Sequence, residues 1–450
     1  MTATRVWRWL PAVLAFVLPL VAAVAFQVAL PADYKVNESP DYTAFYYPVA
    51  ERVVDGNGLT VPDGRVADRF PPGYPVFLAG VITVADATGL GRASLITAAS
   101  LVLHALGCLL LFAFARAFVR PWAACLGALT WGLSPVALWL TKQPNSELVF
   151  TVVVLGALVL VVPLLRPGSR AGVVRLTGVG ALLGAAALIR PIAVGIVVPL
   201  AVVYLLVHRT AGVRRAVVGF AALCGAFVVV LAPWELHLSA ETHSFIPLST
   251  ASGPSMREGL TFQDGPRQAG SFGIPGTLRD LMADADQHQD QLATAGGIAS
   301  FLRQQASTRP AAVAELFALK AGRSWFATDS ERYEAFLLAF QLPFVALAVG
   351  GMVRTWRHGP RIWVWLVGLL VVYFWAMTML VLAIIRYMML PEVLLAPFVV
   401  IGLQPLVVRV LRAIPPVRSA SWFPRLARPP WAGRIKTEDS LVSRGADAPE

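Results

Sequence analysis

Residues 147–165 read ELVFTVVVLGALVLVVPLL, a stretch in which the only charged side chain is Glu147 at the first position. Runs of about 18 or more apolar residues are typical of helices that cross a membrane. Similar runs recur along the chain, which has 450 residues, 57% of them hydrophobic. Only 14% of the residues are charged, against about 25% in a soluble domain. This composition excludes a soluble enzyme, a disordered chain and a small disulfide scaffold.

The apolar runs predict an all-α polytopic membrane protein with ten transmembrane helices. The first run, Trp7 to Leu30, is longer than a typical signal-peptide core, which favours an uncleaved helix over a cleaved signal. The other helices are predicted near residues 93–116, 122–141, 147–165, 172–189, 191–207, 214–236, 335–353, 362–384 and 388–411. Residues 1–411 would therefore form the transmembrane domain. Residues 412–450 are rich in Pro and Arg and are predicted to form a disordered cytoplasmic tail.

The segments between the runs alternate in charge. One set, together with the N-terminus, holds 13 arginines and no acidic residue: Arg5, Arg8, Arg116, Arg120, Arg166, Arg170, Arg175, Arg209, Arg214, Arg215, Arg354, Arg357 and Arg361. The positive-inside rule places this set, and with it both termini, in the cytoplasm. The net charge of +11 then records membrane orientation and not a nucleic-acid partner. We expect an integral protein of a bacterial plasma membrane.

Two long segments, 31–92 and 237–334, face the outer side in this topology. The first of them contains a helix predicted to begin at Ser39 and to be kinked by Pro48. A second apolar stretch, Pro71 to Leu90, includes an acidic residue, and counting it as a span would reverse the charge alternation. We therefore predict two interfacial helices in this segment, not an eleventh span.

Five charged residues are predicted to meet at the outer membrane face: Asp41, Arg69, Glu147, Arg190 and Arg386. Placing carboxylates and guanidinium groups at that depth is costly unless they pair or bind something. Arginines can hold a lipid phosphate through charge-assisted hydrogen bonds, and a nearby carboxylate can act as general base. The set indicates transfer of a group from a phospholipid donor to an acceptor outside the cytoplasm.

Several short motifs occur in the order that they have in a known family. They are Asp41-Tyr42 with Tyr46, Ala50 and Gly56; Arg69-Phe70-Pro71-Pro72-Gly73-Tyr74-Pro75; Phe245 to Gly253; and Arg386-Tyr387 with Pro391 and Pro397. Together they resemble polytopic glycosyltransferases of the GT-C fold, family 39 type. This family includes protein O-mannosyltransferases and lipid A aminoarabinose transferases.

The resemblance implies a polyprenyl-phosphate sugar donor and inversion at the anomeric carbon. It implies that Asp41 is the catalytic base and that Glu147 is the second acidic catalytic position. The residues that would bind the donor are Arg69, Tyr74, Arg190, Arg386 and Tyr387. Many members have an Asp-Glu pair where this chain has Asp41-Tyr42. We predict no metal or other cofactor, and an extracytoplasmic glycan, lipid or protein as acceptor.

Other interpretations of the same residues remain open at this point. Asp41 and Glu147 could be ordinary acids in the first turn of a helix, and the arginines could anchor the chain among lipid headgroups. A transporter or flippase of a lipid-linked or small solute is the alternative function. Transporters usually show repeated halves and charges near the bilayer midplane, whereas the charges here are predicted at one face. A ligase of lipid-linked oligosaccharides and an inactive scaffold are further alternatives.

Overall fold

The computed structural model describes residues 3–35, 39–165, 172–208, 213–262, 275–328, 332–414 and 423–431. Apart from one isolated bridge between Thr60 and Val66, these residues contain no β pairing. The helices are α1 (Ala3–Ala29), α2 (Ala32–Lys35), α3 (Tyr47–Val54), α4 (Gly73–Thr88), α5 (Arg92–Ala115), α6 (Pro121–Gly132), α7 (Pro135–Lys142), α8 (Ser146–Val161), α9 (Val173–Ile189), α10 (Val197–His208), α11 (Val213–Thr242), α12 (Ser252–Thr261), α13 (Gly276–Gln287), α14 (Ala295–Thr308), α15 (Pro310–Arg323), α16 (Glu334–His358), α17 (Arg361–Leu380), α18 (Met389–Arg412) and α19 (Phe423–Ala427). The prediction of an all-α chain is confirmed.

Seven helical segments are long and apolar enough to cross a membrane, and the bent pair α6–α7 makes an eighth if it is one span. The chain is therefore an integral membrane protein, but the predicted count of ten spans is not confirmed. In the predicted span 122–141, Ser134 accepts a hydrogen bond from the backbone N–H of Ala137 at 3.2 Å and starts a new helix. Pro135 follows at the first helical turn, and the helix axis turns by 58°.

The predicted spans 172–189 and 191–207 correspond to two shorter helical segments. α9 has 17 residues, which gives a length of about 25 Å against a hydrocarbon core of about 30 Å. It ends at Arg190, whose backbone is extended (φ −144°, ψ 123°). The next residue is Pro191, and a residue before proline is pushed out of the helical region. A charged, extended residue thus separates the two apolar segments.

Apart from the four-residue α2, the first outer segment holds two helices, α3 and α4, as predicted, but Pro48 does not simply kink the first of these. The turn before it, Tyr42–Tyr46, is a π-helix, and α3 continues from Tyr47. The backbone N–H of Tyr47 donates to the carbonyl of Tyr42, five positions earlier. Pro48 lies in the first turn of α3, where the missing N–H of a proline is tolerated. α4 ends at Gly89, which adopts a left-handed φ of 71°. The interfacial position of both helices stays a prediction.

The core lies among the long helices, and glycines bring two of them into backbone contact. A Cβ on Gly351 of α16 would collide with the carbonyl oxygen of Phe398 in α18, and one on Gly402 of α18 would collide with that of Leu347. The second outer segment has its own small core, formed by leucines, Ile298 and Phe301 of α12 to α15. We call the described residues of this core region, 252–262 and 275–323, the α12–α15 cap.

The tail predicted to be disordered from residue 412 lies mostly outside the described residues. Residues 412–414 end or follow α18, and the described residues 423–431 contain α19 and pack against the helices. The side-chain amide of Gln404 donates to the carbonyls of Leu426 and Arg428 at 2.7 and 2.8 Å. The backbone N–H of Arg120 donates to the carbonyl of Pro430 at 2.8 Å. The neighbouring Trp431 is buried.

Candidate active site

Four of the predicted charged residues occupy breaks between apolar helices. Asp41 lies in the first turn before the Tyr42–Tyr46 π-helix, and Glu147 in the first turn of α8. Arg190 is the extended residue after α9, and Arg386 lies in a 3-10 turn between α17 and α18. At such breaks the backbone leaves the helix, and a long side chain can reach a partner on another element.

These four side chains form one continuous chain of ion pairs. Nη1 of Arg190 lies 2.6 Å from Oε1 of Glu147, and Nε of Arg386 lies 3.4 Å from the same oxygen. Nη2 of Arg386 then reaches Oδ2 of Asp41 at 3.3 Å. We call Asp41, Arg386, Glu147 and Arg190 the acid–arginine cluster. Its order is carboxylate, guanidinium, carboxylate, guanidinium, so that the formal charges cancel.

Exposure differs along the cluster. The side chain of Glu147 is 5% exposed and those of both arginines are 16% exposed, whereas that of Asp41 is 26% exposed. The buried carboxylate of Glu147 is stabilised by the two guanidinium groups that contact it. Asp41 is thus the more accessible of the two carboxylates, whereas Glu147 is enclosed and contacts both arginines.

Aromatic rings and a hydroxyl complete the surroundings of the arginines. The ring centroid of Tyr387 lies 5.0 Å from the guanidinium carbon of Arg190 and 5.5 Å from that of Arg386. Ser146 accepts a hydrogen bond from Arg190 at 3.2 Å. Tyr46 is buried beside the cluster; burial raises its pKa and the charge of Asp41 adds to the effect, so the phenol keeps its proton at neutral pH.

The predicted set of site residues is therefore largely assembled, with one residue apart. Tyr74 is buried, and its ring centroid lies 4.9 Å from that of Tyr46. Arg69 is exposed and its guanidinium lies 5.4 Å from the centroid of the Phe70 ring. Within the described part of the chain, no ion pair joins Arg69 to the acid–arginine cluster. Ser146 was not singled out from the sequence, although it lies next to Glu147.

The motif Phe245 to Gly253 connects the end of α11 to the first outer segment. The indole N–H of Trp234 donates to the carbonyl of Leu248 at 2.9 Å, and the N–H of Leu248 donates to Glu235 at 2.8 Å. The N–H of Thr250 donates to the carbonyl of Asp68 at 2.9 Å. These bonds fix the stretch that carries Arg69 relative to the membrane helices.

A buried lysine ties the α12–α15 cap to the segment that carries Arg386. Lys320 is only 1% exposed, and its ammonium donates to the carbonyls of Gly259 and Val381, both at 3.0 Å. Val381 begins the non-helical stretch that leads to Arg386. The N–H of Ile385 also donates to Ala327, just beyond the cap, at 2.9 Å. No signal in the sequence singled out Lys320, because its partners are backbone atoms of distant segments.

We expect Lys320→Met to lower the free energy of unfolding by about 1–3 kcal/mol, because two buried carbonyls lose their donor. Lys35→Met is the matched control, since Lys35 is exposed and its replacement should leave the melting temperature unchanged. Thermal unfolding in one detergent measures both variants. Equal melting temperatures for wild type and Lys320→Met would contradict the structural role.

The same lysine should make stability depend on pH. Burial lowers the pKa of Lys320 from its ordinary value of 10.5 to about 7. Between these values the unfolded chain binds a proton that the folded chain does not, so the lysine's contribution to stability rises with pH across this window. The difference in melting temperature between wild type and Lys320→Met should therefore grow from pH 7 to 9.5. A difference that shrinks over this range would contradict the assignment.

The comparisons with known proteins show a similarity to solved structures. Neither a protein-family model nor a curated protein matches the chain. Among solved structures, the chain is similar to the crystal structure of ArnT from Cupriavidus metallidurans bound to undecaprenyl phosphate. The identity is 18% and the TM-score 0.42, over 95% of this chain and 86% of that chain. ArnT belongs to the GT-C class that the sequence motifs resemble. At this similarity it assigns no role to any residue of this chain.

Proposed function

We propose that this protein is a membrane glycosyltransferase. It transfers a sugar from a polyprenyl-phosphate donor to a glycan, lipid or protein acceptor on the extracytoplasmic face. One observation carries the proposal: the partly exposed carboxylate of Asp41 lies 3.3 Å from Arg386, which is itself held by the buried Glu147. A base and a phosphate-binding group are thus side by side. The acid-free arginine segments support cytoplasmic termini in a bacterial plasma membrane.

The two arginines supply the donor site. A guanidinium group binds phosphate oxygens through charge-assisted hydrogen bonds, and arginine suits this better than lysine because its donors form a planar fork. In the structure, Nη2 of Arg386 contacts Asp41. A donor phosphate would compete for this nitrogen, and Asp41 would then be released to accept a proton from the acceptor. Donor binding would in this way prepare the base.

The transfer step balances with these groups alone. The acceptor hydroxyl gives its proton to Asp41, and its oxygen forms a bond to the anomeric carbon of the sugar. The bond from that carbon to the phosphate oxygen breaks, and the electron pair leaves with the polyprenyl phosphate, whose charge Arg386 and Arg190 stabilise. Attack on the face opposite the leaving phosphate inverts the configuration.

Glu147 has a positioning role in this mechanism. Its side chain is 5% exposed and contacts Arg190 at 2.6 Å and Arg386 at 3.4 Å. A carboxylate enclosed in this way does not reach an acceptor hydroxyl. It instead fixes the spacing of the two guanidinium groups, with the Tyr387 ring as their common neighbour.

The direct test uses the full chain in proteoliposomes with a panel of polyprenyl-phosphate pentoses and hexoses and an acceptor extract. Mass spectrometry follows the release of polyprenyl phosphate and the mass gained by the product. Acceptor-dependent release supports the proposal. Solute uptake without a glycosylated product would support the transporter alternative, and addition of a whole oligosaccharide would indicate a ligase.

Arg386→Lys should raise the KM for the donor by roughly 10- to 100-fold, because lysine keeps the charge but loses the forked hydrogen bonds to phosphate. Arg65→Lys is the control, since Arg65 is 82% exposed and pairs with Asp63 on the surface. Steady-state kinetics against donor concentration measures both variants. A donor KM unchanged by Arg386→Lys would contradict the role given to Arg386.

A further inference from the structure

A cavity of about 500 Å³ lies at the opposite ends of α16 and α18 from the acid–arginine cluster. Its walls include Arg354, Gln404, Arg409, Arg412 and Ala427. Three of these are arginines, contributed by two different helices. No carboxylate is among the lining residues, and within the described ranges none of the three arginines forms an ion pair with an acidic side chain.

The wall of this cavity is held by specific contacts. Nη1 of Arg354 donates to the carbonyl of Ile401 at 3.0 Å and to the side chain of Gln404 at 2.9 Å. The Arg354 guanidinium also lies 5.7 Å from the centroid of the Trp431 ring. The side-chain amide of Gln404 in turn donates to the carbonyls of Leu426, in α19, and Arg428, just after it. The docked segment 423–431 thus closes one side of the site.

The position of the cavity is at the end of two candidate spans, Glu334–His358 and Ile385–Arg412. This is the depth of lipid headgroups, where anionic lipids attract basic side chains. Along α18, Pro405, Arg409 and Arg412 follow helical spacing and line the cavity. The neighbouring face carries Leu403, Leu406 and Val410, which are 41%, 51% and 63% exposed. An apolar stripe beside a basic cavity fits a ligand that has both acyl chains and an anionic head.

Other basic residues on this side do not share this arrangement. Arg361 donates to the carbonyl of Trp356 at 3.2 Å and lies over the ring of the same tryptophan. Arg357 is exposed. Neither lines the cavity. Such residues suffice to orient a membrane protein. Orientation alone does not explain why three arginines line one cavity that has no carboxylate in its walls.

We propose that this cavity binds the phosphate of an anionic membrane phospholipid. Arg354, Arg409 and Arg412, which line the cavity, supply the hydrogen-bond donors for the phosphate oxygens. The acyl chains lie along the Leu403, Leu406 and Val410 face. The site is independent of the proposed sugar transfer and lies at the other end of the same helix.

The test is native mass spectrometry of the full chain with phosphatidylglycerol and phosphatidylcholine of identical acyl chains. Wild type should retain phosphatidylglycerol at least about 10-fold more tightly. Arg409→Gln/Arg412→Gln should reduce this preference by roughly 10- to 100-fold. Arg357→Gln/Arg361→Gln, which removes the same charge outside the cavity, should keep it. Equal loss in both double variants would overturn the proposal, and so would equal binding of the two lipids by wild type.

Two further measurements distinguish a phospholipid from a free phosphate as the ligand and test the site without a variant. Inorganic phosphate and glycerol phosphate, added at millimolar concentration, should not displace the lipid; displacement by either would overturn the lipid assignment in favour of a free anion. Phosphatidylglycerol should raise the melting temperature of wild type above its value in phosphatidylcholine. This comparison uses wild type alone, so it does not depend on the folding of Arg409→Gln/Arg412→Gln. Equal melting temperatures in the two lipids would overturn the proposal.

Discussion

Asp41→Asn should reduce sugar transfer from a polyprenyl-phosphate donor by about 10²- to 10⁴-fold, the range that a general base contributes. The amide keeps the size of the side chain and can still contact Arg386, but it cannot take the proton of the acceptor hydroxyl. The effect should fall on kcat, with the donor KM changed far less. Single-turnover release of polyprenyl phosphate measures the loss.

Asp63→Asn is the matched control for this variant. Asp63 lies in the same outer segment, where it pairs with Arg65 at 2.7 Å and is 52% exposed. Its replacement should leave transfer unchanged and shows whether a lost carboxylate in this segment matters in general. Full activity of Asp41→Asn at normal expression would refute the proposed mechanism. It would leave the phospholipid site at the other end of α18 untouched, because that site is measured by lipid binding.

The largest loss of stability is expected for Glu147→Ala. This change leaves Arg190 and Arg386 buried at 16% exposure without the carboxylate that both contact. Removing one partner from a buried ion pair costs about 3–5 kcal/mol, mostly because the remaining charge is uncompensated. We expect a marked fall in melting temperature, and the loss of transfer follows because the arginines are no longer held.

Glu51→Ala provides the comparison for an exposed ion pair. Glu51 lies 3.1 Å from Arg92 and is 41% exposed, so its removal should cost at most about 1 kcal/mol. In addition, Glu147→Ala/Arg190→Met should be more stable than Glu147→Ala alone, because Arg190, which has lost its carboxylate partner, has also gone while Arg386 keeps Asp41. Equal melting temperatures for Glu147→Ala and Glu51→Ala would show that the cluster is not buried as described.

The sequence predicted the proximity of four charged side chains better than the number of spans, and the roles of these residues stay predictions. Arg190 and Arg386 could be recognised because they are charges between apolar runs, and the predicted topology placed Asp41 and Glu147 at the same membrane face. The predicted topology also placed Arg69 at this face, but its stretch is fixed by bonds from Thr250, and its side chain lies against Phe70. Pairing of this kind depends on the path of a loop, which hydropathy does not encode.

The features that the sequence did not predict depend on packing and on backbone groups. Whether 17 apolar residues span a membrane depends on tilt and packing, so the short helices α9 and Pro191–Val207 could not be distinguished from full spans. The break between α6 and α7 rests on a single serine and proline. Lys320 and the docked segment 423–431 depend on carbonyl groups of distant residues. Every residue has a backbone carbonyl, so the sequence does not indicate which carbonyl a distant side chain will contact.

The ion pairs of the acid–arginine cluster form in a fixed order during synthesis of the protein. Asp41 and Arg386 are 345 positions apart, and Arg386 leaves the ribosome after six of the seven long apolar helices. Glu147 and Arg190 can pair early, so that neither need enter the bilayer as a lone charge. Asp41 meets its partner only when α18 has been inserted. We expect chains truncated before residue 385 to form the first ion pair but to lack Arg386, and therefore to bind a polyprenyl-phosphate donor more weakly than the full chain.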